Sequence, residues 1–466
     1  MNYKYLKKYL YFLVVLWICI GARVMEAQSM EIHKPLVLAF KAKKNTLKAG
    51  EKIDFLTCYT LPKGRNIAAE KWSYKALLTK QERVIYEKPE LIFESGLYEV
   101  NIQIKDSEGM WSEPASTYIH ISDQSVQSEL LYRLEKNMIG SKVNQFGSEN
   151  YRAYKKIQAS QCEEEKGKLL ISNSPEKVKE KGILYEGTSS GKGRLMIHHL
   201  HDMDGDKDYR LVLLVTNLSD QSQRVHLNHY AVKGPCKDVL YVGEQLLLEY
   251  WGKTKREVIY DLPPHQTGII YKQLQPWVKG DALSSYMDFY TQDKVKWQVL
   301  CVENGDNLAS YQHYCEKDRH IRGTFETIKQ IYSFDLNKEA VYFPIGEKTE
   351  FLLGVDEVLN KETCNKGNFG MEYEFHLKAN EDTIMVLNPR GDVFRGAILW
   401  NDTPCAVPNR GCLRGEWEAS LLGEIKAGEQ AVIKYMLPNG SSAPVLFVSI
   451  PKKNLEKMSN LKEICK

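Results

Sequence analysis

Between Gly96 and Lys105 the residues Tyr98, Val100, Ile102 and Ile104 alternate with Glu99, Asn101, Gln103 and Lys105. Successive side chains of a strand point to opposite faces, so this pattern specifies a sheet with one dry and one wet side. A helix would scatter the same residues around its circumference. Asp106 to Gly109 supply turn residues, and Met110 and Trp111 resume an apolar run. Upstream, Ala49-Gly50-Glu51-Lys52 is a turn before a strand at Ile53–Tyr59, and Trp72 lies where two facing sheets would bury a large ring. Strands separated by turn signals every 8–12 residues predict a two-sheet sandwich over 33–122.

Downstream the same style recurs. Leu130, Leu131 and Leu134 suit a short helical turn inside a connector, 123–168, whose Cys162-Glu-Glu-Glu-Lys-Gly run reads as linker. A second sandwich is expected over 169–320. There Arg194–His201 and Tyr209–Thr216 read as a hairpin around a polar turn, followed by strands at Asp238–Val242, Glu257–Tyr260, Thr267–Lys272 and Val295–Val302. A third sandwich occupies 321–452, and 453–466 reads as a short charged helix or tail. The expected fold class is all-β: an immunoglobulin-like sandwich, two further sandwiches and a short helical connector.

The first 27 residues carry a different signal. Lys4, Lys7 and Lys8 precede an apolar run from Tyr9 to Ile20, then Gly21, Ala22 and a cleavage-compatible Ala27. That is the order of a secretory leader, too short for an ordinary membrane span. The expected location is extracellular or at the cell surface, with membrane attachment only through an uncleaved leader. The leader's four cations against Glu26 account for the whole chain's +3, leaving the remainder neutral. A neutral chain lacks the basic footprint that nucleic acid requires. Of ten cysteines, Cys19 lies in the leader, so an odd number remains. Cys405 with Cys412, and Cys301 with Cys315, are near enough to bridge across a loop, and reduced, buried thiols fit equally well.

The run from Gly96 to Ser112 resembles the closing strands of a PKD-type immunoglobulin-like module, although Lys71-Trp72-Ser73-Tyr74 stands where that family has its Trp-x-Phe-Gly-Asp-Gly signature. The resemblance implies a sandwich of the spacer or interaction kind. Residues 170–452 resemble secreted proteins of Gram-positive, spore-forming bacteria (clostridia and relatives). The matching residues are Gly182-Ile-Leu-Tyr185, His198-His199-Leu200, Gly234-Pro235, Asp238-Val-Leu-Tyr241-Val-Gly243, Gly323-Thr-Phe325, Gly354-Val-Asp356, Asn365-Lys-Gly367-Asn368-Phe369-Gly370 and Asn388-Pro-Arg-Gly391. Members often carry a copper-amine-oxidase N-terminal-like stalk, which is missing here. The resemblance implies no catalytic activity.

Candidate chemistry is sparse. His198-His199-Leu-His201-Asp202-Met-Asp204-Gly205-Asp206 is the densest polar cluster. Asp202, Asp204 and Asp206 place oxygens at every second position, as a calcium loop does, but the closing bidentate Glu is missing. His199 and His201 share a strand face, where His226 or His229 could complete a zinc set. The plainer reading is a hairpin tip, because Asp and Gly favour turns. Gly187-Thr-Ser189-Ser-Gly191 matches the nucleophile-elbow pattern, yet a strand and not a helix follows it, so a small-residue hairpin loop is expected. Asn388 and Arg390 sit in a turn whose arginine either stabilises the loop or meets a carboxylate or sugar. Trp251, Trp277, Trp400 and Trp417 read as core or as sugar-stacking rings. No cofactor is expected, Ca²⁺ being the alternative. The expected function is that of a non-catalytic cell-surface or cell-envelope protein working by protein or wall contact; the alternative is a carbohydrate-binding or glycan-active extracellular protein. A cell-wall glycan or an envelope protein is the expected partner.

Overall fold

The computed structural model describes residues 33–77, 84–144, 146, 154–252, 257–336 and 338–455. Residues 1–32, with the leader-like segment expected at 1–27, and the residues beyond 455 lie outside the described residues. The chain forms two compact units, 1–126 and 127–466.

In the first unit a five-stranded sheet runs in the order Thr46–Ala49, Ala115–Ser125, Gly96–Asp106, Ile67–Leu77, Val84–Ile85, and a two-stranded sheet joins Leu36–Ala42 to Phe55–Thr60. The alternation that predicted it is obeyed: Tyr98, Val100, Ile102 and Ile104 are all buried. Trp72 is buried too, its ring 5.5 Å from that of Phe40 and 5.1 Å from that of Phe55. Those two rings come from the small sheet, so Trp72 is one of the contacts that join the layers.

In the second unit a 15-stranded sheet dominates and a six-stranded sheet accompanies it. One half of the large sheet is built on β1 (Gln161–Ser172), β2 (Gly182–His201), β3 (Gln223–Cys236), β4 (Val258–Leu262) and β5 (Ala282–Glu303). They lie side by side as β4-β3-β5-β2-β1. β5 is long enough to pair with β3 along its first half and with Tyr209–Asn217 along its second. Beyond β1 the sheet continues into Arg322–Leu336 and then Glu372–Ala379. Where the sequence reading places a junction between modules at 320–321, one sheet therefore runs through both stretches. Phe334 and Phe375 of that sheet pack against Phe343 and Phe447 of the six-stranded one, with centroids 4.1 to 5.3 Å apart.

Four local expectations need correction. Arg194–His201 and Tyr209–Thr216 do not form a hairpin; each pairs with β5 instead. Gly187–Gly191 is not a loop but part of β2, where the register slips between Ser189 and Gly191, and Gly191 takes φ +76°. That is the signature of a β-bulge. The Cys162–Gly167 run is strand β1, its glutamates carried beside Lys166, Lys192 and Lys329. Asp238–Val242 opens a helix, Val239–Tyr250, with the Asp238 carboxylate accepting from Tyr241 N at 3.0 Å as its N-cap. Inside it Gly243 lies against Asn439, where an added Cβ would meet the carbonyl oxygen at 2.3 Å.

Arg194 of β2 fastens this unit. It is buried; its Nε donates to Asp288 of β5 at 2.7 Å, and Nη1 donates to the carbonyls of Gly370 (3.1 Å) and Ile328 (3.4 Å). Its guanidinium also stands 5.3 Å from the Tyr250 ring. Arg194→Ala strips these acceptors of their donor. It is expected to lower stability by about 3 kcal/mol, the low end of the range for breaking a buried pair because Asp288 keeps Tyr250 and some solvent. Urea unfolding followed by tryptophan fluorescence checks this, and a loss below about 1 kcal/mol would contradict it.

Candidate functional site

Along β3 the residues Val225 and Leu227 are buried, while Arg224 and His226 face out; along β5, Phe289 and Thr291 are buried, while Tyr290 and Gln292 face out. The period of two thus gives this part of the sheet an inner face in the core and an outer face in water. Register then aligns the outer residues. His226 pairs with Tyr290, Tyr290 with Lys192 of β2, and His226 with Ile259 of β4. The result is a row crossing four strands: Ile259, His226, Tyr290, Lys192. The His226 and Tyr290 rings meet edge to face with centroids 6.3 Å apart.

This row borders a cleft of about 570 Å³ whose lining includes Arg224, His226, Asp261, Pro263, Tyr290 and Gln292. Ser222, Leu262 and Pro263, where β3 begins and β4 ends, also line it. On the opposite side the helix Val239–Tyr250 closes over the sheet: Tyr250 OH donates to Asp288 at 2.6 Å, and its ring meets that of His229 at 4.8 Å. The helix therefore covers one end of the outer face and leaves the other end open. Tyr290 is 47% exposed there, a large ring with solvent on it.

Each basic side chain named on the open face has a carboxylate beside it. Arg224 Nε donates to Asp261 at 3.1 Å, Lys192 Nζ to Glu165 at 2.9 Å, and His226 lies 4.0 Å from Glu257. Gln223, by contrast, is committed inward, donating to Asn217 and accepting from Asp293 N. The open face thus offers an aromatic ring among neighbouring donors and acceptors, with little net charge.

The residues singled out from sequence lie elsewhere. Asp204 is 91% exposed and bound to Lys279 at 2.5 Å, with Asp202 3.8 Å from the same ammonium; Asp206 is exposed in the same loop. His199 is buried, one ring nitrogen 2.8 Å from Ser172 Oγ and the other 2.8 Å from the Pro175 carbonyl. His201 packs against Tyr209 and Trp277. His226 and His229 stay with Tyr290 and Tyr250, away from both. Among the described residues no three His, Cys, Asp or Glu side chains are placed to hold a metal ion. Asn388 is buried and its amide donates to the carbonyls of Glu416 and Glu418, while Arg390 pairs with Glu347 at 3.0 Å. Asn388 thereby pins the loop that carries Trp417, which is 58% exposed; Trp277 is core. The sequence reading missed Arg224, His226, Asp261 and Tyr290 as one surface. Their polar–apolar alternation was visible, but which strands lie side by side was not.

No protein-family model matches this chain, and no curated protein does. Among solved structures, a carbohydrate-binding module of the β-sandwich superfamily is 11% identical at a TM-score of 0.15, over 58% of this chain and 99% of that one. The SGBP-B protein of the Bacteroides ovatus mixed-linkage glucan utilization locus, in complex with a mixed-linkage heptasaccharide, is 8% identical at 0.14, over 59% and 100%. The α-L-rhamnosidase from Dictyoglumus thermophilum is 10% identical at 0.15, over 90% and 49%. At such scores the likeness bears on neither ligand nor chemistry.

Burial pulls the His199 pKa down to about 4. Burial pulls the Asp318 carboxyl up, but hydrogen bonds from His320 and Ser174 more than offset it and hold it below its usual range. In both, the folded pKa lies below the unfolded one, so the contribution is full above the unfolded value and is lost as pH falls. The contribution of these two groups should be flat above pH 7 and decline below about 6.5, the His199 part reaching roughly 3 kcal/mol by pH 4. Urea titrations across this range test it; His199→Gln should flatten the slope between about pH 6.5 and 4 whatever its effect at neutral pH. Saturating calcium should move the melting temperature by less than about 1 °C, because a specific site filled at 100 times its dissociation constant would add about 2.7 kcal/mol. A larger shift abolished by Asp204→Ala would make the aspartate loop a cation site.

Proposed function

We propose that this chain is an exported, non-catalytic protein that contacts glycan through the open face of β4, β3, β5 and β2. The observation that carries the reading is Tyr290, an exposed ring set in a polar cleft and flanked by His226, Arg224 and Asp261. An aromatic face with a negative quadrupole attracts the polarised C–H groups of a sugar ring, while the surrounding side chains serve its hydroxyls. A pocket for an apolar ligand would be lined mainly by hydrophobic side chains. Binding without cleavage fits the same residues. Glycoside hydrolysis uses two carboxyl groups flanking the scissile bond, and among the described residues lining the cleft Asp261 is the only carboxylate, already tied to Arg224. Export rests on the leader-like residues 1–27, and a cell-wall polysaccharide is the partner that would accompany it.

Retention of the purified protein on insoluble wall and plant polysaccharides tests the proposal. Selective, saturable retention is expected, and Tyr290→Ala should weaken it at least tenfold, the loss of about 1.4 kcal/mol. Trp417→Ala serves as the control at another exposed ring. Retention that survives Tyr290→Ala and disappears with Trp417→Ala would move the site to the loop pinned by Asn388; no retention on any polymer would remove the glycan reading.

A further inference from the structure

We infer that the ligand of this face is an uncharged glycan that lies across the strands, with about three consecutive sugar rings in contact. The inference rests on the glycan-binding reading and adds the ligand's charge class, its direction and its length.

The charge class is set by pairing. Arg224 and Lys192 would draw an acidic polymer if they stood alone, but each has a carboxylate beside it, Asp261 and Glu165, and His226 has Glu257 4.0 Å away. A charged ligand of either sign is attracted by one member of each pair and repelled by the other, so the face draws neither sign. An uncharged sugar meets no such repulsion. A cation beside a carboxylate offers a donor and an acceptor a few ångströms apart, which suits neighbouring hydroxyls that each donate and accept.

The direction is set by the walls. Along the strands the open face is covered at one end, where Tyr250 meets Asp288, and at the other the strands themselves stop, beside Ser222 and Pro263. Across the strands the row Ile259, His226, Tyr290, Lys192 is continuous, and β4 is the last strand on its edge of the sheet. A polymer chain can therefore enter over β4 and pass over Tyr290 towards β2, but cannot run far along a strand.

The length is set by strand spacing. Neighbouring strands lie about 4.8 Å apart, so the row from β4 to β2 spans roughly 14 Å, about three pyranose rings end to end. At the far end Lys192 and Glu165 occupy each other, with Lys329 3.7 Å from Glu165, and the row gives way to a charged ladder.

Calorimetric titration of the whole protein with cello-, xylo- and manno-oligosaccharides of one to six rings, and with oligogalacturonate, at low and high salt, tests this. Affinity for at least one neutral series should rise to about three rings and then level off, changing less than about twofold with salt. Arg224→Ala should weaken it by about tenfold, the worth of one charge-assisted hydrogen bond, and Tyr290→Phe, which keeps the ring and the fold, by much less. Preferred binding of oligogalacturonate, weakening with salt, would overturn the charge class and leave the glycan reading standing. Affinity complete at one ring, or still climbing at six, would overturn the crosswise geometry alone. Failure of every saccharide to bind would end the glycan reading and this inference with it.

Discussion

The guanidinium of Arg194 is the point through which the larger unit is joined. A buried cation is tolerated only when its charge is met and its donors are used, since its removal from water costs several kcal/mol. Asp288 of β5 meets the charge, and the carbonyls of Ile328 and Gly370 use the Nη1 donor. Each partner lies on a different part of the chain. Asp288 is held in turn by the Tyr250 hydroxyl, so the helix Val239–Tyr250 is drawn onto the same spot. One side chain thus links two neighbouring strands, the helix above them, and the stretch where the sheet passes into residues 322–379.

That arrangement explains why the outer face is half covered. The helix must reach Asp288, and its Gly243 lets it press against the Asn439 backbone, so its position is set from both sides. Two residues further along β5, at Tyr290, its cover has ended. The open face is what remains of the sheet after the helix has been placed, and its outer residues are polar or aromatic, not aliphatic, apart from Ile259 at the edge.

Local patterns made much of the fold legible. Tyr98 to Ile104 is a strand in which each residue's exposure can be read from its neighbours, and Trp72 is buried for the reason the sequence suggests: a large ring at the centre of a half-apolar run. Thr267–Lys272 was equally plain. What failed was everything decided by distant partners. Arg194–His201 and Tyr209–Asn217 look like a hairpin because they are adjacent in sequence, but β5, far along the chain, takes both. Val239 to Val242 look like a strand because valine and tyrosine favour one; the Asp238 cap and the buried contacts of Val242, Leu246 and Leu247 decide for helix. The candidate site suffered in the same way. His199, His201 and Asn388 were conspicuous because they are polar and clustered, and they are conspicuous in the structure for a different reason: each is buried, His199 and Asn388 holding backbone carbonyls and His201 packed among aromatic rings. Tyr290 and Arg224 looked ordinary, since their meeting on one face depends on register, which no local pattern encodes.

Two ion pairs of the large sheet differ in burial, and the proposed ligand contact falls at the exposed one. Arg194 and Asp288 are held in a dry setting, where exchanging either partner for a ligand would strand a charge. Arg224 and Asp261 are 67% and 82% exposed, and a pair so placed contributes about 0–1 kcal/mol. Opening it to admit a hydroxyl costs little, and closing it again restores little. Binding of that kind needs rigid backbone beneath weakly held side chains, because ordering loose backbone would consume what the contacts provide. The buried pair supplies the rigidity, and the exposed pair supplies groups free to change partners.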